Sequence, residues 1–209
     1  MKAFIVMGRT FKAAYDELFL CVFLSVAWWI GTILVVPAAP VTAGIHNVAN
    51  RMANYKRVDN SFFWEGARTK IGRGWLLYLI NLLAPLLMAV NAWFYFRLEG
   101  WPQMIGIVFV WLFVIALMIG QFVFPFFWQQ DQQDVKLALR NAAVLAMRNP
   151  LYTFLLLLFQ ILLLALSTAI TLPLILLAPA LVALAANFGM AGLLQEMGLA
   201  PEPPVVPRR

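Results

Sequence analysis

Apolar runs at 18–36, 74–96, 102–128, 151–171 and 174–195 dominate the chain. Each is close to or beyond the roughly 20 apolar residues that a spanning helix needs. A sixth stretch, 38–55, follows the turn at Pro37 and Pro40 but is weakened by Thr42, His46, Asn47 and Asn50. Ahead of the first run, segment 1–17 sets Phe4, Met7, Phe11 and Tyr15 at helical spacing with Arg9 and Lys12 between them. That is the pattern of an amphipathic helix lying in the membrane interface. Two further amphipathic segments are expected at 60–72 and 131–149. In the first, Asn60 or Ser61 is the expected N-cap, and Phe62, Phe63 and Trp64 are placed at the lipid interface. In the second, Val135, Leu139, Ala142 and Ala146 share one face while Lys136 and Arg140 lie four apart. The proline-rich tail within 197–209, PEPPVVPRR, reads as disordered.

Charge decides the weak stretch. If 38–55 returns across the membrane, the chain forms three hairpins, and fourteen of its fifteen Lys and Arg fall on one side, leaving only Arg97 on the other. If it does not, Arg51, Lys56, Arg57, Arg68, Lys70 and Arg73 lie opposite the basic N-terminal segment. Short cytoplasmic loops are enriched in Lys and Arg. The expectation is therefore an all-α, polytopic transmembrane helix bundle with six spans in three hairpins, or five if 41–55 does not span. It forms one domain over 1–196, with interfacial helices and both termini in the cytoplasm of a plasma membrane. Trp75, Tyr78 and Trp128 at the inner ends and Trp93, Tyr95 and Trp101 at the outer ends of the middle hairpin match the aromatic belts of a spanning pair. The first and third hairpins share paired prolines and an Asn near the end of the second arm, which fits either a parallel internal repeat or two hairpins of similar composition.

Composition agrees with the class, since 64% of residues are hydrophobic and 11% charged, against about 25% charged in soluble domains. The net charge of +6 is spread over short loops, without the basic-aromatic clustering that nucleic-acid binding uses. The lone Cys21 lies in an apolar run, where a thiol behaves as a small hydrophobe.

Candidate chemistry is sparse. Ionisable residues inside a span are costly and face a partner, the bundle interior or a wet cavity, so His46 stands first. Thr42, His46 and Asn50 share a helix face with Asn47 beside it, and the stripe could meet Asn81 or Asn187. One reading is a small polar pocket; the other is interhelical hydrogen bonding worth about 0.6 to 2 kcal/mol per group. All nine carboxylates fall outside the span cores, which removes the buried acids that proton coupling or general acid–base chemistry uses. One His and one Cys on different helices do not make a zinc site, and no phosphate-binding glycine loop or nucleophile elbow occurs. No catalytic residue, metal or cofactor is expected. Arg68, Lys70, Arg73, Lys136 and Arg140 are candidates for contact with lipid headgroups or a partner.

The segments VVPAAPVTAGIHNVANRM, SFFWEGARTKIGRGWLLYLINLL, NAWFYF and FPFFWQQDQQDVKLALRNAAVLAMRNPLYTFLLLL resemble the YesL-like family of small bacterial membrane proteins, domain of unknown function 624. The resemblance covers roughly residues 11–195. It rests on the Pro-Val-Thr-Ala-Gly turn at 40–44, the aromatic start at 61–64 and the stretch from Ala138 to Pro150. It implies a non-enzymatic membrane component near carbohydrate uptake, with the lipid bilayer and a membrane transporter or a second copy of the chain as partners. A small-solute permease is the alternative.

Overall fold

The computed structural model describes residues 2–69 and 71–201, and every regular element among them is helical. They are α1 (Lys2–Asp16), α2 (Leu18–Ile33), α3 (Ala38–Ala53), α4 (Asn60–Arg68), α5 (Ile71–Phe96), α6 (Gln103–Gln129), α7 (Val135–Arg148), α8 (Pro150–Ala169), α9 (Thr171–Leu176) and α10 (Ala178–Glu196).

Among the described residues, four helices are long and apolar enough to cross a membrane: α5, α6, α8 and α10. A fifth arises only if α1 and α2, bent by 94° at their junction, are taken together. The count therefore stops at four or five, which reaches the five-span alternative of the sequence reading and not the six. The reason is length and polarity: α2 and α3 have 16 residues each, about 24 Å at 1.5 Å per residue, and α3 carries the amides and His46. The third hairpin also differs from expectation, since its turn contains the extra helix α9 and its second arm begins at Ala178.

Helix α3 is the centre of the bundle. Its small residues Ala39, Ala43, Ala49 and Ala53 are buried, which lets neighbouring backbones approach. Helices α3 and α6 run parallel: His46 meets Phe124, Asn50 reaches the Pro125 carbonyl, and Asn54 reaches Gln129. Helix α5 runs antiparallel to α6, with Asn81 against Gly120, Phe96 against Gly106 and Tyr95 stacked on Phe109. Helix α10 is buried along most of its length, and its first turn is capped from another helix. There the Ala180 amide donates to Ser25 Oγ of α2 at 3.2 Å, filling one of the donors that every helix start leaves open.

The amphipathic helices are more embedded than expected. Ala3, Val6, Thr10 and Ala14 form the buried face of α1, with Val6 against Gly192 and Arg9 donating to Gln195. Phe4, Phe11 and Tyr15 face outward, although Phe11 also meets Phe159 edge-on. The N-cap of α4 is Asp59, one residue before the expected position, and its carboxylate accepts from the Ser61 amide at 2.8 Å. Phe63 is fully buried and Trp64 exposed, so the aromatic triplet is split rather than laid on lipid as a unit. Asp134 caps α7, its carboxylate accepting from the Leu137 amide at 2.9 Å, and the helix buries Ala138, Ala142, Leu145 and Ala146. Beyond α10, Pro201 accepts from Gln195 at 2.8 Å and Ala200 packs on the core. The first residues of the expected tail are thus attached to the bundle, and 202–209 lie outside the described residues.

Candidate functional site

The polar residues of α3 do not converge on one point; they radiate to four neighbours. Thr42 Oγ1 accepts from the Trp28 indole of α2 at 3.0 Å and donates to the Ala38 carbonyl. Asn47 donates to the Phe62 carbonyl of α4 at 2.8 Å. Asn50 and Asn54 both donate to Gln129 Oε1 of α6, at 3.1 and 2.9 Å. His46 faces α6 and α10: its ring lies flat on Phe124, centroids 5.0 Å apart, and Nδ1 is 3.1 Å from Asn187 Nδ2.

Asn187 is fully buried and also donates to the Ala183 carbonyl at 2.8 Å. With the amide nitrogen facing Nδ1, that ring nitrogen accepts and the ring proton sits on Nε2. Asn187 Oδ1 is then an enclosed acceptor without a partner. Asn81, the sixth residue of the expected cluster, is elsewhere: it packs against Gly120 in the α5–α6 hairpin, where any side chain larger than hydrogen would collide with its amide. The structure thus joins His46 to Asn187, and separates Thr42, Asn47, Asn50 and Asn81 from that pair.

Several polar partners escaped the sequence reading. Gln129 and Asn54 sit at helix ends, where an amide reads as loop chemistry. Gln121 donates to the Thr153 carbonyl and accepts from Gln160, both at 3.1 Å. Gln121 precedes Pro125, and Asn81 precedes Pro85, by four residues; each proline removes the amide that would bond that residue's carbonyl. A polar residue four before a proline was the available signal.

The basic residues collect at one end. Arg51 donates to the Arg57 carbonyl and its guanidinium stacks over Phe62 at 3.4 Å. Arg73 donates to the Gln132 and Gln133 carbonyls in the α6–α7 loop. Arg68, Lys136 and Arg140 are exposed, and Lys70 lies outside the described residues. At the opposite end Arg97 covers the Trp93 ring at 4.2 Å. At the basic end, the Ser61 hydroxyl and amide hold the Asp59 carboxyl below its usual range, with Arg57 and Arg51 adding to this. A cavity beside that cap is lined by Glu17, Phe19, Phe23, Val58, Asp59 and Ser61 among others.

Among the described residues no group of three or more His, Cys, Asp or Glu could hold a metal ion. Comparison with protein-family models, curated proteins and solved structures finds no match.

Proposed function

We propose that this chain is a non-catalytic component of a bacterial plasma-membrane assembly. Its three hairpins, six apolar arms in all, stand on a basic face that lies in the cytoplasm with both chain ends. That face docks a membrane transporter, and the resemblance to YesL-like proteins supplies carbohydrate uptake as the setting.

The observation that carries the proposal is how the polar groups between the helices are used. Thr42, Asn47, Asn50, Gln121 and Gln160 each bond another helix, so they serve as interhelical attachment. The exposed cations are on the basic face, where Lys136 and Arg140 project from α7 and Arg68 of α4 lies over the Trp64 ring at 5.9 Å. Affinity purification from native membranes in mild detergent tests this. A stoichiometric transporter partner, lost in Lys136→Glu/Arg140→Glu, is expected; isolation of the intact chain alone would contradict it.

A second reading, a small-solute permease, is favoured by one feature, the unpartnered Asn187 Oδ1 beside His46. Solute flux into liposomes containing only this chain would support it, and loss of that flux in Asn187→Leu would locate the path.

A further inference from the structure

We propose that α2–α3 is a re-entrant hairpin: it enters and leaves the bilayer from the basic side, and its tip, Ile33 to Val36, ends among the lipid acyl chains near the middle of the membrane.

The depth follows from where α4 lies. Phe63 of α4 seats on Gly44 of α3, where an added Cβ would sit 2.7 Å from the Phe63 carbonyl oxygen, and Gly66 seats on Asn47. The outward side of α4 carries Glu65 and Arg68, both exposed. An ionised side chain costs about 2.5 to 3.5 kcal/mol at the membrane centre by insertion measurements, so this level is the headgroup region. From Gly44 to Ala38 is six residues, about 9 Å of helix. On α2, Phe23 meets Phe63 edge-on at 5.6 Å, and Ile33 is ten residues further, about 15 Å. The hydrocarbon is about 30 Å thick, so the tip stops near half depth.

The α5–α6 hairpin provides the internal ruler. Gly74 approaches Ala43 at 3.8 Å, close to the same level, and the 22 residues from there to Phe96 extend about 33 Å, enough to cross. Its turn carries Arg97 and Glu99 between Trp93, Tyr95 and Trp101, as a turn in the far interface should.

The α2–α3 tip has the opposite chemistry. Ile33 and Val36 are each 75% exposed, Leu34 and Val35 nearly as much, and no charged residue accompanies them. Its backbone is suited to lipid, where amides must be satisfied internally. The amides of Leu34 and Val35 bond the Ile30 and Thr32 carbonyls at the end of α2, those of Val36, Ala38 and Val41 bond the Leu34, Val35 and Pro37 carbonyls, and Pro37 and Pro40 contribute none. The nearby Trp28 indole is satisfied by Thr42 and so needs no interfacial water.

Single cysteines in a Cys21→Ala background test the depth in oriented vesicles. A membrane-impermeant maleimide should label Lys56→Cys from one side only and Glu99→Cys from the other only. Val36→Cys should be labelled from neither, yet react fully once the membrane is dissolved in detergent. A bimane on Val36→Cys should be quenched at least twofold more by mid-chain doxyl lipid than by a headgroup quencher. Ile33→Cys, equally exposed, repeats the test should Val36→Cys fail to fold. Labelling from the Glu99 side would show that the hairpin crosses. Labelling from the Lys56 side, or stronger quenching at either headgroup, would show that the tip does not lie mid-membrane. Each of these results overturns the proposal.

Discussion

The ring of His46 on α3 lies parallel to that of Phe124 on α6, 11° between planes, and this contact fixes the relative height of the two helices. From Phe124 back to Gln103, the start of α6, is 21 residues, about 32 Å; from His46 back to Ala38, the start of α3, is eight, about 12 Å. His46 therefore lies nearer the basic end of the bundle than the Arg97 end. If its role is packing, His46→Ala and Asn50→Ala should each lower the apparent unfolding midpoint in detergent while leaving transporter co-purification at its wild-type yield. Unchanged thermal stability with lost co-purification or lost flux would make the cluster a functional site.

Asn50 and Asn54 share one acceptor, Gln129 Oε1. A double-mutant cycle of Asn50→Ala and Gln129→Ala should give a coupling of about 0.6 kcal/mol, the average for hydrogen bonds between membrane helices, and no more than about 1.7 kcal/mol. Strictly additive effects would mean that the bond contributes nothing to holding α3 on α6.

Two glycines should respond to different degrees to the same substitution. Gly44→Ala forces a methyl against the Phe63 backbone carbonyl, which cannot turn aside, and should cost about 1 to 3 kcal/mol as an overpacked contact. Gly189→Ala meets the buried side chain of Leu156 rather than backbone, and the better helix propensity of alanine, about 1 kcal/mol, offsets part of that strain. Chemical unfolding of both variants checks the ordering; equal losses would refute it.

The α4 cap should depend on pH. Hydrogen bonds from Ser61 lower the Asp59 pKa in the folded protein, so the cap stabilises above the ordinary carboxylate range and is lost as pH falls through the depressed folded value. Hydrogen exchange at the Ser61 amide should accelerate on acidification, beyond the intrinsic trend. Asp59→Asn, which keeps an acceptor oxygen, should abolish that pH dependence; its persistence would place the titrating group elsewhere.

Much of the fold was legible because hydropathy and charge act locally. The α5–α6 hairpin declared itself through length, aromatic ends and a tight turn; Asn81 and Asn187 were both open as partners of the α3 stripe, and His46 meets Asn187. What was not legible depends on which levels meet. Nothing in residues 38–55 states that Gly44 accepts α4, so α3 read as a full span and α4 as a surface helix. Asp59 was passed over as a cap because Asn60 and Ser61 beside it are equally good candidates by type. Gln129 was missed because its two partners lie some 75 residues away.

On this topology the chain stands on one basic face, and the α5–α6 turn with Arg97 and Glu99 lies on the opposite side. Topology reporters fused at Arg57, Gln133 and Glu99 in intact cells test it directly. The account predicts a cytoplasmic signal at Arg57 and Gln133 and an external signal at Glu99. An external signal at Arg57 would contradict it.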